Sequence, residues 1–310
     1  MTWSTKDIPD LTGKRAAITG VTGGLGVNAA IGLGRSGASL LVTARDDAKA
    51  EMALARIAKD APGTPVEVIE LDLADLAATK AAADKIVSAV EHLDILINNA
   101  GVMGTPKRLT VDGFELQIGT NHLGHFAWTA TLWPLLNRSQ TRVVTVASFA
   151  HKWVRGIDLR SLTTEGSPGR YRKWQSYGAS KLANLLFMLE FDRRLKGSGL
   201  TTTSVGAHPG YASTNITSAG PTLGGNSLSS MGMHQVSKFV AQSAAMGAWP
   251  LLMAATDESL AGGEYVGPSH MAQMRGAPKL VGMTSTAHNA ELGDSLWAAS
   301  ELAVGVDFDI

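Results

Sequence analysis

Tyr177 and Lys181 are the two side chains whose types and spacing first suggest proton chemistry. They lie four residues apart in the stretch SYGASKLANLLF, so a helix would carry both on one face, one turn apart. A free tyrosine, with a pKa of about 10, is a poor base at neutral pH. A neighbouring ammonium favours the phenolate, so Lys181 is expected to lower the pKa of Tyr177. The alternative is an aromatic–cation pair on a helix surface, without chemistry.

A glycine-rich turn, ITGVTGGLG at residues 18–26, offers a place for a phosphate group. Gly20, Gly24 and Gly26 allow a tight turn and close approach of the backbone. The helix that follows would present free N–H groups at the positive end of its dipole. The alternative is an ordinary flexible turn, since the chain contains 34 glycines.

Short apolar strands alternate with amphipathic helices along the chain. These elements must position the Tyr177–Lys181 pair and the glycine-rich turn. The sequence predicts strands at 14–19, 38–44, 65–71, 93–99, 141–148 and 200–208, and helices at 25–35, 46–59, 75–91, 112–136 and 176–196. Such a pattern predicts an α/β fold with a doubly wound parallel sheet of about seven strands and helices on both faces. The alternation continues past residue 200 without a linker, so we predict a single Rossmann-type domain over residues 1–310.

The composition excludes several classes of function. The 27 basic and 27 acidic residues balance, which argues against a nucleic-acid partner. The absence of cysteine excludes disulfides, thiolate metal sites and cysteine nucleophiles. His122 and His125 lack a third ligand at a suitable spacing, so we predict core or interface histidines and no metal site. No targeting pattern and no apolar run of about 18 residues is present, and we expect a cytoplasmic protein without a membrane partner.

Several motifs occur together in the order typical of one enzyme family. They are the Thr-Gly-x-x-x-Gly-x-Gly turn, NNAG at 98–101, Asn121, Ser148, Tyr177-x-x-x-Lys181, and HPG at 208–210 followed by Thr214. On these motifs the chain resembles the short-chain dehydrogenase/reductase family of the classical type. Its segments 113–126, 177–187, 208–215, 262–268 and 296–301 are most similar to the retinol-dehydrogenase-like branch.

The resemblance implies hydride transfer between a nicotinamide and a carbonyl or alcohol group. It implies that Tyr177 is the general acid in reduction and the base in oxidation, and that Lys181 also holds the nicotinamide ribose. Ser148 would hydrogen-bond the substrate oxygen, and Asn121 would hold a water in a proton relay to Lys181. Asn121 lies between two glycines in a predicted helix, which indicates a kink there. A purely structural role for Asn121 is the alternative.

The resemblance also implies a set of cofactor contacts. These fall on Gly20, Thr22, Gly24, Leu25, Gly26, Arg45, Asp72, Leu73, Asn99, Ala100, Gly101, Tyr177, Lys181, Pro209, Gly210 and Thr214. The family's acidic ribose-binding position corresponds to Ala44, and Arg45 follows it. Because a guanidinium suits a phosphate, we expect NADP to be preferred, with NAD as the alternative cofactor. Arg45 could instead pair with Asp46 or Asp47, and Asp72 could cap a helix.

The insert between Ser148 and Tyr177 departs from the family pattern, because these residues lie 29 positions apart. The insert, residues 149–175, carries the side chains of His151, Trp153, Tyr171 and Trp174. We expect it and a second long segment, 211–235, to wall an apolar substrate pocket, since Trp and Met suit large apolar ligands. The alternative is that the insert's aromatic side chains only pack it onto the protein body.

Other functions compete with that of an NADP-dependent oxidoreductase. They are a non-catalytic NAD(P)-binding redox sensor, an NAD-preferring alcohol dehydrogenase and a sugar-nucleotide epimerase or dehydratase. A sensor has no need of a base, and the intact Ser148, Tyr177 and Lys181 argue against it. The family often pairs its long helices, here 112–136 and 176–196, so we expect a homodimer or homotetramer. The substrate and the physiological direction stay open.

Overall fold

A single twisted sheet organises the protein in the computed structural model, which describes residues 2–166, 169–211 and 242–310. The strands are β1 Arg15–Ile18, β2 Ser39–Ala44, β3 Val66–Glu70, β4 Ile95–Asn98, β5 Arg142–Val146, β6 Thr203–Ala207, β7 Tyr265–His270 and β8 Arg275–Leu280. Their order is β3-β2-β1-β4-β5-β6-β7-β8. All neighbouring pairs are parallel except β7 and β8. The predicted α/β fold with a parallel sheet is confirmed.

The sequence predicts bounds only for the strands β1 to β6, and the antiparallel strand β8 exceeds the predicted total of about seven. Its segment RGAPKL contains glycine and proline, which are depleted in strands, and it lies at the sheet edge with an exposed outer face. The hairpin between β7 and β8 therefore extends the sheet by one strand beyond the predicted number. Its tip lies at the carboxyl end of β7, on the same edge as the carboxyl ends of the other parallel strands.

Helices cover both faces of the sheet. They are α1 Gly24–Arg35, α2 Asp47–Asp60, α3 Leu76–Ala89, α4 Leu116–Ile118, α5 Gly124–Ser139, α6 Lys173–Gly197, α7 Ala244–Thr256 and α8 Ala290–Val304. Side chains alternate across β1, so that Ile18 joins the core under α1 and α7, whereas Ala17 joins the core under α3, α5 and α6. None of the helices in the described ranges is both long and apolar enough to cross a bilayer.

Among the predicted helix and strand boundaries, the start of the helix at 112–136 differs most from the structure. Residues 110–113 form a turn instead, and the helical stretch begins at Leu116. A π-helical turn, Gly119–Leu123, joins α4 to α5. This irregular turn is where the sequence predicts a kink. The π-helical turn contains Asn121, the residue for which a functional role is expected.

The C-terminal segment covers the outer side of α5 and α6. Trp297 of α8 stacks on Phe187 of α6 with ring centroids 5.7 Å apart. Phe308 lies 4.8 Å from Trp297 and 5.6 Å from Phe126 of α5. All four aromatic side chains are buried. The helices expected to pair two copies of the chain are therefore covered by the chain itself.

Candidate active site

The hydroxyl of Thr19 ties the carboxyl ends of β1 and β4 together. It accepts hydrogen bonds of 2.9 Å from the backbone N–H groups of Asn99 and Ala100. It also lies 2.9 Å from Nε2 of His125. Burial lowers the pKa of His125 to about 4, so the ring is neutral. Its Nδ1 lies 3.1 Å from the Asn121 carbonyl, which can only accept, so Nε2 accepts from Thr19. Sequence analysis missed both Thr19 and His125 as positioning residues.

The glycine turn after β1 leaves no room for a Cβ at Gly20 or Gly26. Gly20 has φ +74°, and a Cβ on it would lie 2.9 Å from Cα of Ala100. A Cβ on Gly26 would lie 2.4 Å from the Gly20 carbonyl oxygen. Helix α1 begins at Gly24 without a side-chain cap, so N–H groups of its first turn are left for a ligand. This cradle fits a dinucleotide phosphate.

Arg45 and Asp72 face each other at the adjacent end of β2. Nη1 of Arg45 lies 3.5 Å from Oδ2 of Asp72, so Arg45 does not pair with Asp46 or Asp47 as the alternative predicted. The helix-capping interpretation of Asp72 is also wrong, because Asp75 caps α3. The Arg45 side chain is 68% exposed, and such a solvent-exposed pair contributes little to stability. The guanidinium therefore keeps most of its surface in solvent, where a second anion can reach it.

The other predicted cofactor residues follow the same edge of the sheet. Leu25 and Leu73 are buried, and Thr22 is half-buried in the glycine turn. In the HPG segment, the carbonyl of Pro209 accepts a 2.8 Å hydrogen bond from Nε2 of Gln242. Gly210 has φ +66°, a conformation that favours glycine. Thr214 and nearly all of the segment 211–235 lie outside the described residues.

Tyr177, Lys181 and Ser148 converge where β5 ends. Tyr177 and Lys181 lie in the first turns of α6, and both are buried, with 8% and 5% of their surface exposed. Nζ of Lys181 lies 6.0 Å from the centroid of the Tyr177 ring and donates a 3.0 Å hydrogen bond to the Val146 carbonyl. Asn184, one turn further along, donates to the same carbonyl. The pair thus faces the protein interior and not solvent.

The pKa of Tyr177 is raised, contrary to the lowering expected from Lys181. Burial is the larger cause, and a hydrogen bond with the Ser148 side chain opposes it. Burial also lowers the pKa of Lys181 to about 8. Spacing along a helix indicates that a phenol and an ammonium are close, but the desolvation that decides both pKa values arises from the surrounding fold.

The side chain of Asn121 holds the loop after β4. Its Nδ2 donates hydrogen bonds of 2.9 Å to the Val102 carbonyl and to Oγ of Ser180, and its Oδ1 accepts one of 2.8 Å from the Val102 N–H. A Cβ on Gly101 would lie 2.8 Å from Oδ1 of Asn121 and 3.6 Å from Nζ of Lys181. Asn121 therefore has a structural role beside Lys181, and the bound water stays a prediction.

The aromatic residues of the insert divide into two groups. The Tyr171 hydroxyl accepts a 2.8 Å hydrogen bond from Gln117 and lies 2.9 Å from the Glu115 carboxylate, so Tyr171 packs the insert onto the body. Burial is the main reason that its pKa rises to about 12. Trp153 and Trp174 meet edge to face at 6.2 Å and stay 52% and 37% exposed. Those two indoles are available to a ligand.

His122 and His125 point to different parts of the core. Nε2 of His122 lies 2.8 Å from Oγ of Ser300 on α8, whereas His125 meets Thr19 on the sheet side. Burial lowers the pKa of His122 to about 3. Over the residues that can be described, no group of three or more His, Cys, Asp or Glu side chains could hold a metal ion.

Comparisons with known proteins show the family of this chain. Residues 14–156 match the family model described as short chain dehydrogenase. Human retinol dehydrogenase 13 is 36% identical over 301 residues, which cover 96% of this chain and 86% of that protein. The chain belongs to the short-chain dehydrogenase family. Within it, this dehydrogenase falls in the retinol-dehydrogenase-like branch, and it is an NAD(P)-dependent oxidoreductase acting on CH–OH groups.

Two further relatives support the assignment. Human retinol dehydrogenase 11 is 42% identical over 207 residues, which cover 66% of this dehydrogenase and 63% of that protein. The crystal structure of an uncharacterized protein from Mycobacterium paratuberculosis is 38% identical, with a TM-score of 0.80 and coverage of 100% of both chains. That structural similarity extends through the β7–β8 hairpin and α8.

Proposed function

We propose that this short-chain dehydrogenase uses NADP to transfer a hydride between the nicotinamide and a carbonyl or alcohol group of an apolar substrate, with Tyr177 as general acid and base. The observation that carries the proposal is the burial of Tyr177 and Lys181 on one helix face beside Ser148. A phenol, a hydroxyl and an ammonium then surround one position, which is what protonation of a developing alkoxide requires.

A bound nicotinamide would supply or accept the hydride. In reduction, the substrate oxygen gains negative charge and needs a proton. Tyr177 keeps its proton at neutral pH, because burial raises its pKa, and it donates this proton to the oxygen. Ser148 hydrogen-bonds the same oxygen and orients it. In oxidation the steps reverse, and Tyr177 accepts the proton of the alcohol.

Lys181 stabilises the phenolate that remains after Tyr177 has donated its proton. The ammonium lies 6.0 Å from the ring centroid, in surroundings where a charge acts more strongly than in water. Lys181 would also hold the ribose of a bound nicotinamide cofactor. Asn121 lies beside Lys181 and holds the water through which Tyr177 regains its proton.

The preference for NADP rests on the end of β2. Ala44 supplies no carboxylate to repel a 2′-phosphate, and the exposed guanidinium of Arg45, which has only a long ion pair with Asp72, would bind one. The apolar substrate is supported by the exposed indoles of Trp153 and Trp174. The names of the relatives, retinol dehydrogenases 13 and 11, also favour an apolar substrate, since retinol is an apolar alcohol.

Self-association through α5 and α6 is not supported, because Trp297 and Phe308 cover that side. The expected homodimer or homotetramer would have to use another surface. Light scattering coupled to size exclusion measures the mass of the native protein and so shows whether it forms an oligomer. The cytoplasmic location stays a prediction.

A panel of carbonyls and alcohols, assayed with NADPH and NADH in parallel, tests the proposal. Tyr177→Phe should lower kcat by about 10²- to 10⁴-fold, while the Kd for NADPH stays within about twofold. Tyr171→Phe removes a hydroxyl that only packs the insert, and it should retain most of the turnover. Undiminished turnover in Tyr177→Phe would reject the assignment. Tight cofactor binding without hydride transfer to any carbonyl would favour the redox sensor.

A further inference from the structure

His151 is a fully buried histidine that the proposed mechanism does not use. It lies three residues after Ser148, in the 3₁₀ turn Phe149–Trp153. Its Nδ1 is 2.6 Å from the Ser148 carbonyl oxygen, which also accepts the His151 backbone N–H at 3.2 Å. Burial lowers the pKa of His151, and the charge of Lys152 adds to this, so the ring is neutral. A carbonyl only accepts, so Nδ1 carries the proton and Nε2 is an acceptor.

A second buried polar atom lies near this imidazole without a partner. Within the described ranges, neither Nε2 of His151 nor the Tyr265 hydroxyl has a hydrogen-bond partner. The two rings meet edge to face with centroids 5.8 Å apart, and the His208 ring lies 5.1 Å from the Tyr265 ring. A buried polar atom left unpaired destabilises the fold, and native proteins usually satisfy such atoms with ordered water.

The turn that carries His151 packs directly against the helix that carries Tyr177. A Cβ on Gly178 would lie 2.8 Å from the Ala150 carbonyl oxygen, so only glycine lets the two elements come this close. Oγ of Ser148 accepts the Ala150 N–H at 3.2 Å. Both the hydroxyl and the carbonyl of Ser148 are thus held from the same turn. Tyr265 contacts the His151 ring, and the charge of an ionised Tyr177 would add to the burial that raises the pKa of Tyr265.

We propose that His151 is a positioning residue that orients Ser148 against Tyr177, and that its Nε2 and the Tyr265 hydroxyl share a buried water behind them. This inference rests on the proposed function of Ser148 and Tyr177. Two hydrogen bonds from one residue fix the peptide plane that follows Ser148, and so fix the direction of its side chain. The shared water anchors the imidazole from its other nitrogen.

Two substitutions separate the hydrogen bond from the packing. His151→Asn keeps an N–H near the position of Nδ1, whereas His151→Leu keeps the bulk but no donor. We expect His151→Leu to lower kcat by about 10- to 100-fold, the effect of a misplaced catalytic group. The Kd for NADPH should stay within about twofold. His151→Asn should recover most of the lost kcat, and Tyr265→Phe should lower kcat less than His151→Leu does.

The controls distinguish this inference from the function on which it rests. If wild-type protein and Tyr177→Phe turn over the same substrates equally, the proposed function fails. If Tyr177→Phe is inactive but His151→Leu keeps full kcat and loses only thermal stability, the positioning role is overturned. Nitrogen-15 NMR of the histidines needs no turnover. A neutral Nδ1–H tautomer for His151 is expected at pH 7.5, and an Nε2–H tautomer would overturn the geometry.

Discussion

The ammonium of Lys181 lies 6.0 Å from the centre of the Tyr177 ring, yet its hydrogen bond goes to the carbonyl of Val146. The backbone at the end of β5 therefore holds the lysine in place, and the phenol is left free to bond with Ser148 and a substrate. Burial lowers the pKa of this lysine to about 8. A buried ammonium lowers the free energy of unfolding, and the size of this effect depends on pH.

Lys181 should make the unfolding free energy depend on pH. Its pKa is about 8 in the folded chain against an ordinary value of 10.5, so the unfolded chain binds more protons between those values. Stability therefore rises with pH in this window. Relative to Lys181→Met, the wild type should gain about 2 kcal/mol between pH 7.5 and 9.5, measured by urea unfolding. Lys107→Met, at an exposed lysine, is the control. A pH-independent difference between wild type and Lys181→Met would contradict the prediction.

Arg45 should decide between the two cofactors. Arg45→Ala is expected to weaken NADPH binding by about tenfold, which corresponds to roughly 1.4 kcal/mol for a lost charge-assisted phosphate contact. NADH binding should change by less than about twofold, because it has no 2′-phosphate. Isothermal titration with both cofactors measures this. Arg35→Ala, at the opposite end of α1 from the glycine turn, should leave both affinities unchanged. Tighter binding of NADH by the wild type, unaffected by Arg45→Ala, would reject the preference for NADP.

Gly26→Ala should disrupt the phosphate cradle. The new Cβ would lie 2.4 Å from the Gly20 carbonyl oxygen, and backbone cannot yield as a side chain can. We expect a loss of about 1–3 kcal/mol of stability, the usual cost of overpacking, and at least tenfold weaker NADPH binding. Gly23→Ala is the matched control, because its nearest contact would be an ordinary 3.7 Å. Equal melting temperatures and cofactor affinities for the two variants would contradict the packing argument.

The tip of the β7–β8 hairpin stores backbone strain. Met271, Ala272 and Gln273 have φ of 50°, 52° and 69°, in the left-handed region that side chains disfavour. Ala272 is exposed, so Ala272→Gly should relieve strain without loss of packing and stabilise the protein by about 0.5–1 kcal/mol. Ala81→Gly, at an exposed position inside α3, should destabilise it by about 1 kcal/mol. Thermal unfolding measures the change in stability of both variants. If Ala272→Gly destabilised the protein as Ala81→Gly does, the strain would be absent.

The sequence alone determined the order of β1 to β6 and of the helices between them, because hydrophobic periodicity and glycine turns are local signals. The predicted boundaries of β1 to β6 lie within three residues of those observed. The spacing of Tyr177 and Lys181 indicated that they share one helix face. Strand β8 escaped prediction, since its edge position removes the apolar pattern that marks a buried strand.

The tertiary structure decided which groups surround those motifs. Thr19 meets His125 across 106 residues of chain, and Arg45 meets Asp72 across 27. Burial, which depends on every element packed around a residue, set the direction of the pKa shifts of Tyr177 and Lys181. Neither long-range contact nor desolvation can be read from spacing, because both arise only when distant segments close around the same point.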